Sequence, residues 1–328
     1  MKALVTGAGG FIGSFILKEL VSRGYEARAL FLPHEDSTGA EKSGVEIVRG
    51  DLTRPDTLRN IADDIDLVFH LAGRVLDWGP KKAFKAVMVD GTKSLLEECK
   101  GKIKRFIYFS SIAALGMNRN LVGLDEDAER QRTGISYCDT KIDAEILVND
   151  FCIQHDMSYV IIRPSNVIGP GSVWVKDIID AFQKGPMPLI GDGNVPGAFI
   201  YINNLVDGTI YAAELENASG RTYHLRDDYD ITWKQYMETL GSWVDKKPFV
   251  SVPVKLAWAL ASFFEVILNP ISIRPPISRL AVGVLGRNND VDNSRARKEL
   301  NWKSRINLNE AMDEIRQWVI EEYLNTQK

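Results

Sequence analysis

The chain is poor in cysteine, the residue that marks disulfide-stapled and many metal-binding proteins. Its 328 residues include only Cys99, Cys138 and Cys152, and these scattered positions have no metal-ligand spacing. An odd and sparse set argues against a disulfide framework and fits a reducing compartment. We therefore expect a cytoplasmic protein without a bound metal.

Long apolar runs and basic clusters are also scarce. The most apolar late stretch, 256–268, contains Glu265 and is too short to span a bilayer. The first residues contain no charged segment followed by an apolar one, so we expect no signal peptide. Lysine and arginine number 40 against 44 acidic residues, with both signs interspersed. No basic run marks a nucleic-acid-binding arm, and we expect no nucleic-acid partner.

The first half of the chain alternates short apolar strands with helical segments. We predict strands at 3–5, 27–31, 45–49, 66–70, 105–109 and 159–163, and helices at 12–23, 92–100 and 136–149. Repeated strand–helix units of this kind predict a parallel sheet that is covered by helices on both faces. The fold class is therefore α/β, a doubly wound parallel sheet.

The second half is less regular and predicts a smaller, mostly helical C-terminal lobe. We predict helices at 233–244, 254–268 and 308–323. Residues 1–165 would form the sheet domain and residues 166–328 this lobe. The lobe would be discontinuous, because the apolar run near 199–204 is predicted to return to the sheet as a strand.

A glycine-rich loop follows the first strand and precedes a helix. Its spacing is Gly7-x-x-Gly10-x-x-Gly13, not the tighter G-x-G-x-x-G. Glycines let the backbone turn sharply and approach a pyrophosphate at the helix N-terminus. The loop indicates a Rossmann-type sheet with a dinucleotide site, the alternative being an ordinary strand–helix turn.

The residues after the second and third strands bear on the rest of the dinucleotide. No arginine stands at the tip of the second strand for an NADP phosphate, whereas His34, Glu35 and Asp36 follow it and could reach a ribose hydroxyl. The cofactor is NAD or NADP, and this pattern favours NAD. Asp51 is a candidate for binding the adenine amine, with a turn or N-cap aspartate as the alternative.

Tyr137 and Lys141 have the spacing of a proton-transferring pair. An i,i+4 pair lies on one face of a helix. An ammonium about 4 Å from a phenol would favour the phenolate by roughly 4 kcal/mol at an effective dielectric near 20. We therefore predict that the pKa of Tyr137 is lowered towards neutral pH, where it suits acid–base work. Taken alone, such a pair is also typical of a solvated helix face.

Ser111 is a third candidate, because it lies at the end of the fifth strand. Ligands bind at the carboxyl ends of the strands in doubly wound sheets. A serine hydroxyl there could hydrogen-bond a substrate oxygen while Tyr137 transfers the proton. The alternative is a serine that only caps the strand end.

The motifs occur in an order that resembles a known family. They are Gly7-x-x-Gly10-x-x-Gly13, Asp51-Leu52, His70-Leu71-Ala72-Gly73, Asp90-Gly91-Thr92, Ser110-Ser111, Tyr137-x-x-x-Lys141 and the run from Arg163-Pro164 to Gly171. Over nearly the whole chain this set resembles the extended short-chain dehydrogenase/reductases of the NAD-dependent epimerase/dehydratase group.

The resemblance implies that residues 1–165 are a dinucleotide-binding Rossmann domain and that residues 166–328 are a substrate-binding lobe. It also implies roles for particular residues. Ser111, Tyr137 and Lys141 would be catalytic, with Tyr137 as the general acid/base. The implied cofactor-binding residues are Gly7, Gly10, Phe11, Ile12, Gly13, Asp51, Leu52, Leu71, Ala72, Gly73, Tyr137, Lys141 and Pro164. The chain departs from the family pattern at Met88, where asparagine is frequent, and at Leu32, where arginine is frequent.

One position separates the branches of this family. Nucleotide-sugar members commonly carry an arginine that clamps the substrate pyrophosphate, and here Gly197 stands in its place. The pattern after His70 looks more like the 3β-hydroxysteroid dehydrogenase and dihydroflavonol reductase branch. Candidate apolar pocket walls, with core packing as the alternative, are Trp78, Met117, Trp174 and Phe199.

The resemblance implies an NAD(P)-dependent oxidoreductase that interconverts a secondary alcohol and a ketone on a mainly apolar, steroid-like small molecule. One alternative is a nucleotide-sugar 4-epimerase or dehydratase, in which Arg274, Arg279 or Arg287 would compensate for Gly197. Another is a non-catalytic dinucleotide-binding sensor. Family members commonly dimerise through helices beside the sheet, so a homodimer is one expectation. For 255–268 we favour packing inside the lobe over peripheral contact with a membrane.

Overall fold

The computed structural model describes residues 1–185, 187–248, 250–271 and 273–326. Its strands are β1 (Lys2–Thr6), β2 (Glu26–Phe31), β3 (Glu46–Arg49), β4 (Leu67–His70), β5 (Arg105–Phe109), β6 (Tyr159–Pro164), β7 (Asn166–Ile168), β8 (Leu189–Ile190), β9 (Phe199–Tyr201), β10 (Arg221–Leu225) and β11 (Ser251–Val252). One seven-stranded sheet has the order β10-β6-β5-β4-β1-β2-β3, and all its pairs are parallel. The strand order reverses between β1 and β4, as in a doubly wound Rossmann sheet. The predicted fold class is confirmed.

The helices are α1 (Phe11–Ser22), α2 (Thr38–Lys42), α3 (Lys81–Lys85), α4 (Gly91–Cys99), α5 (Ser136–Gln154), α6 (Val173–Lys184), α7 (Ile202–Glu214), α8 (Trp233–Ser242), α9 (Val254–Leu268), α10 (Arg279–Gly286), α11 (Ser294–Glu299) and α12 (Leu308–Trp318). A π-helical turn joins α3 to α4, and another extends α12. Sequence patterns predicted the starts of α8, α9 and α12, whereas α2, α3, α6, α7, α10 and α11 were missed.

Helices cover the large sheet on both faces, which is why its strands are almost continuously apolar. Every residue of β4 and β5 is buried, as expected for a parallel sheet between helical layers. One face packs against α1 and α7 through residues such as Ile16 and Leu205. The other packs against α4 and α5 through residues such as Leu95 and Val148. The loops at the carboxyl ends of the strands are thereby fixed on a rigid frame.

The run near 199–204 does not return to the large sheet, so this prediction is wrong. β9 pairs with β7 in a separate two-stranded sheet, and α7 begins directly at Ile202. The free edge of β6 is occupied by β10, whose Leu225 lies opposite Pro164. The sequence of a three-residue apolar strand such as β9 does not indicate its pairing partner. The edge of the large sheet next to β6 is occupied by β10.

The helix α9 buries two alanines and exposes several of its large apolar side chains. Ala257 and Ala261 are buried, whereas Leu256, Phe263 and Val266 are 52%, 60% and 75% exposed. The favoured expectation, that this segment packs inside the lobe, holds for Trp258, which packs against the core, and is wrong for these three exposed side chains. Within the described ranges, no helix combines the length and apolarity needed to cross a bilayer.

Candidate active site

The glycine loop lies between β1 and α1, at the edge where the strands of the large sheet end. Gly7 has a φ of +69°, and a Cβ atom placed there would lie 2.8 Å from the backbone nitrogen of Ala72. A Cβ atom on Gly13 would lie 2.0 Å from the carbonyl oxygen of Gly7. Both positions therefore require glycine. The backbone at the N-terminus of α1 is left free of side chains, and this cradle fits a dinucleotide pyrophosphate.

The other residues implied in cofactor binding follow neighbouring strands at the same edge. Phe11 and Ile12 begin α1, Asp51 and Leu52 follow β3, Leu71, Ala72 and Gly73 follow β4, and Pro164 ends β6. The backbone nitrogen of Leu71 donates to the carbonyl oxygen of Thr6 at 3.2 Å, which ties the β4 loop to the glycine loop. Leu52 is buried against Gly91, so only its backbone faces this edge.

Asp51 forms a local turn. Its Oδ1 accepts hydrogen bonds from the backbone nitrogen and the hydroxyl of Thr53, both at 2.8 Å. This is the turn aspartate that the sequence left open as an alternative. In the described part of the chain, Oδ2 accepts no hydrogen bond, so binding of the adenine amine stays a prediction for that oxygen.

A buried histidine connects the β4 loop to the helix behind it. His70 Nδ1 lies 2.7 Å from the Thr6 hydroxyl, and Nε2 lies 2.9 Å from the Thr92 hydroxyl. Because Thr92 donates to the carbonyl oxygen of Met88 at 2.8 Å, Thr92 accepts from Nε2–H, and Nδ1 accepts from Thr6. Burial lowers the pKa of His70 to about 3. A neutral imidazole thus explains both the His70 and the Thr92 motifs as supports of the cofactor edge.

The three predicted catalytic residues come together where β5 ends against α5. Ser111 is the second residue after β5, and its hydroxyl is close enough to the Tyr137 phenol to oppose the rise in the pKa of that phenol. The Ser111 Oγ also accepts from the backbone nitrogen of Ala113 at 3.1 Å. Lys141 Nζ lies 5.8 Å from the centroid of the Tyr137 ring and donates to the carbonyl oxygen of Phe109 at 2.7 Å. The Tyr137 phenol and the Ser111 hydroxyl can thus face one substrate oxygen.

The predicted lowering of the Tyr137 pKa is wrong for this structure. Burial of the phenol raises its pKa to about 12, and the Ser111 hydroxyl opposes this only partly. Burial also lowers the pKa of Lys141 to about 8, against the attraction of Glu145. The sequence estimate placed the ammonium about 4 Å from the phenol and left out the cost of burying either group. At neutral pH Tyr137 therefore carries its proton and Lys141 its charge.

Glu145 is part of this arrangement and was missed from the sequence. It is fully buried, accepts from the Ser110 hydroxyl, and accepts from Arg163 Nε at 2.8 Å and Nη2 at 2.7 Å. Tyr137, Lys141 and Glu145 lie one turn apart on α5 and contact the consecutive residues 111, 109 and 110. Glu145 continues the four-residue spacing of Tyr137 and Lys141, and this spacing is the sequence signal that could have revealed it.

A pocket of about 110 Å³ opens beside Tyr137. Its lining includes Trp78, Gly79, Phe84, Ser136, Glu265 and Arg279. Glu265 and Arg279 neutralise each other through a contact of 2.7 Å between Oε2 and Nε. This pocket is the candidate substrate site.

Of the four predicted apolar pocket walls, only Trp78 lines this pocket. Met117 and Phe199 are each 1% exposed and lie in the main core. Trp174 packs on Trp233, with ring centroids 5.2 Å apart. The alternative of core packing therefore holds for those three side chains.

The carboxylate of Glu35 lies against the glycine loop. Its Oε2 accepts from the backbone nitrogen of Leu32 at 2.8 Å and lies 3.6 Å from the position of a Cβ atom on Gly9. Asp36 instead caps its own turn through Thr38. Of the three residues considered for the ribose, Glu35 is thus the one whose carboxylate lies against this loop.

Comparison with known proteins agrees with this arrangement. The family model described as NAD dependent epimerase/dehydratase family matches residues 3–225. The chain belongs to this family. It is an NAD(P)-dependent enzyme of the extended short-chain dehydrogenase/reductase type, either an oxidoreductase or an epimerase.

Individual relatives of this family member are distant but extend along its whole length. A 4-hydroxy-2-methyl-3-oxo-4-farnesyl-3,4-dihydroquinoline-1-oxide ketoreductase of Stigmatella aurantiaca is 27% identical over 97% of the chain and 96% of its own length. A decarboxylating sterol-4-alpha-carboxylate 3-dehydrogenase of Mus musculus is 27% identical over 95% of the chain and 89% of its length. The crystal structure of a UDP-glucose 4-epimerase from Thermotoga maritima superposes with a TM-score of 0.79 at 19% identity, covering 100% of both chains. That structure supports the fold alone.

Proposed function

We propose that the protein is an oxidoreductase that interconverts a secondary alcohol and a ketone on a mainly apolar small molecule. The observation that carries this proposal is the meeting of Ser111, Tyr137 and Lys141 beside the pocket that Tyr137 lines. A bound nicotinamide dinucleotide would supply the redox chemistry. Ser111 would hold the substrate oxygen, and Tyr137, protonated at neutral pH, would donate its proton to a ketone oxygen or receive one from an alcohol.

The packing around Gly197 supports an apolar substrate over a nucleotide sugar. A Cβ atom on Gly197 would lie 2.0 Å from Cε2 of Phe199. Phe199 is held in place by Trp233 and Tyr236, with ring centroids 4.8 and 4.5 Å away. An arginine is therefore excluded where nucleotide-sugar enzymes clamp a pyrophosphate. The names of the ketoreductase and sterol dehydrogenase relatives point in the same direction.

A cofactor-dependent screen tests this function. Purified protein is incubated with NADH or NADPH and a panel of steroid and long-chain alkyl ketones, and separately with UDP- and dTDP-sugars. We expect ketone-dependent oxidation of the cofactor. Conversion of a nucleotide sugar without net cofactor turnover would assign the protein to the epimerases instead. Cofactor binding without turnover of either class would indicate a dinucleotide sensor.

NAD is the proposed cofactor in preference to NADP. The Glu35 carboxylate against Gly9 would accept a hydrogen bond from a ribose hydroxyl and repel a phosphate in its place. Residues 1–165 would bind this cofactor, and residues 166–328 would provide most of the substrate pocket, as Glu265 and Arg279 do. A homodimer stays a prediction, for which light scattering on the purified protein is the test.

The outward face of α9 supports a peripheral contact with a lipid surface. Leu256, Leu260, Phe263 and Ile267 follow one another at helical spacing and are all exposed. Glu265 and Asn269, at the end of the same helix, line the pocket beside Tyr137. An apolar substrate could then pass from a bilayer to the pocket over a short path.

A further inference from the structure

An arginine without an acidic partner lies next to residues that line the substrate pocket. Arg74 directly follows Gly73 in the β4 loop and is half-buried. Its Nε atom is shielded from water and has no hydrogen-bond acceptor. Within the described ranges, Arg74 forms no ion pair. Its guanidinium packs against an aromatic ring, with Cζ 5.4 Å from the ring centroid of Phe84. Withholding the Nε–H group from both water and acceptors is costly, so the position of this guanidinium favours an anionic partner.

The guanidinium lies against the pocket that Tyr137 lines. Arg74 Nη2 is 3.3 Å from the position of a Cβ atom on Gly79, and both Gly79 and Phe84 belong to the pocket lining. The carbonyl oxygen of Gly79 accepts a hydrogen bond from the Ser136 hydroxyl at 3.2 Å. Because Ser136 precedes Tyr137, this bond connects the Arg74 loop to the proton-transferring residue.

The other charges of the pocket are already compensated. Glu265 is paired with Arg279. Asp77 accepts from the Ser278 hydroxyl at 2.8 Å and lies 3.7 Å from Arg274. Arg74 is therefore an additional positive charge beside the pocket lining, and it is complementary to a ligand that carries a negative charge.

We propose that Arg74 binds a carboxylate of the substrate, so that the substrate is a hydroxy or oxo acid with an apolar body. This proposal rests on the oxidoreductase function above and defines its substrate class. A guanidinium and a carboxylate match in a planar, two-bond contact. A pocket of about 110 Å³ beside Tyr137 has room for a group of the size of a carboxylate.

Paired substrates that differ only in charge test the proposal. We would measure NAD⁺ reduction with β-hydroxydecanoate and with its methyl ester, each alcohol giving the ketone, NADH and one proton. We expect a higher kcat/KM for the acid, and the acid-to-ester ratio should fall at least tenfold in Arg74→Gln and less in Arg74→Lys. Lys82→Gln, which removes an exposed charge from the same helix as Phe84, should leave the ratio unchanged. An unchanged ratio in Arg74→Gln would overturn the proposal.

A binding measurement separates this proposal from the oxidoreductase function. Calorimetric titration of the NAD⁺ complex with the acid and the ester needs no turnover. Tighter binding of the acid than of the ester, lost in Arg74→Gln, would support the proposal even if neither compound were oxidised. A failure to oxidise either compound would count against the oxidoreductase function only. Equal binding of acid and ester would contradict the proposal that Arg74 binds a carboxylate. So would UDP binding that is tighter than that of the acid and depends on Arg74, because the anion recognised would then be a diphosphate.

Discussion

Lys141 lies beside the ring of Tyr137, with Nζ 5.8 Å from the ring centroid, and it donates its hydrogen bond to Phe109. The lysine is thus held by the backbone of β5 and not by the phenol. Its positive charge is retained in a buried position because Glu145 lies one turn further along α5. In the proposed reaction, Tyr137 would keep its proton until a substrate oxygen takes it.

Ketone reduction should fall as the pH rises through about 8. Burial lowers the pKa of Lys141 to about 8, so the charge beside Tyr137 is lost above that pH. A profile of kcat/KM between pH 6 and 10, roughly, would show this decline. Lys141→Met should have low activity and no decline with pH. Lys93→Met, on the exposed face of α4, should keep both the activity and its decline with pH. A decline of the same midpoint in Lys141→Met would show that another group is responsible.

Glu35 should set the preference for NADH over NADPH. In Glu35→Gln the hydrogen bond from Leu32 can persist, but the negative charge that opposes a ribose phosphate is removed. We expect the ratio of the two dissociation constants to shift by about tenfold towards NADPH, which corresponds to about 1.4 kcal/mol. Fluorescence titration measures both constants. Asp36→Asn is the control. An equal shift in that variant would mean that the preference depends on the net charge near the site and not on the Glu35 carboxylate.

The buried histidines should make folding less stable below neutral pH. Burial lowers the pKa of His70 to about 3, against about 6.5 in an unfolded chain. Between these values the unfolded state binds the extra proton. The contribution of the neutral His70 to the free energy of unfolding is therefore complete above about pH 6.5. It is lost as the pH falls, by up to about 1.4 kcal/mol per pH unit.

Urea unfolding from pH 7 to about pH 5 would measure this dependence. His224 has a pKa lowered to about 3 by burial as well, so His70→Gln should reduce the slope without abolishing it. His34→Gln, at an exposed position, should leave the slope as it is. A slope unaffected by His70→Gln would refute the assignment of a neutral buried imidazole.

The outward face of α9 should bind phospholipid vesicles. Phe263 is 60% exposed, and burial of such a side chain is worth roughly 2 kcal/mol. Phe263→Ser should therefore weaken co-sedimentation with vesicles by at least tenfold. Ile153→Ser, which removes an exposed apolar residue from α5, serves as the matched control. No binding by the unmodified protein, or equal losses in both variants, would rule out this face as the contact.

The sequence was informative where a local pattern determines the structure. The six short strands of the first half and the glycine loop follow from apolar runs and from positions such as Gly7, where only glycine fits. Tyr137, Lys141 and Ser111 were predictable because a helix spacing and a strand end bring them to one edge.

The parts that escaped prediction depend on partners distant in the sequence. The strand β9 pairs with β7 because β10 already occupies the sheet edge, which no local pattern reveals. The pKa of Tyr137 depends on how deeply α5 buries the phenol, and the outward face of α9 depends on which helix side the lobe covers. Arg74 has an ordinary sequence context and becomes notable only when its missing partner is seen.

Replacement of Tyr137 by phenylalanine tests the central claim most directly. The variant keeps the ring beside Lys141 and removes only the hydroxyl that carries the proton. With a ketone identified in the screen, we predict that kcat falls on the order of 10²–10⁴-fold, while the dissociation constant for NADH stays within about twofold. Turnover close to that of the unmodified protein would contradict the claim that this phenol transfers the proton.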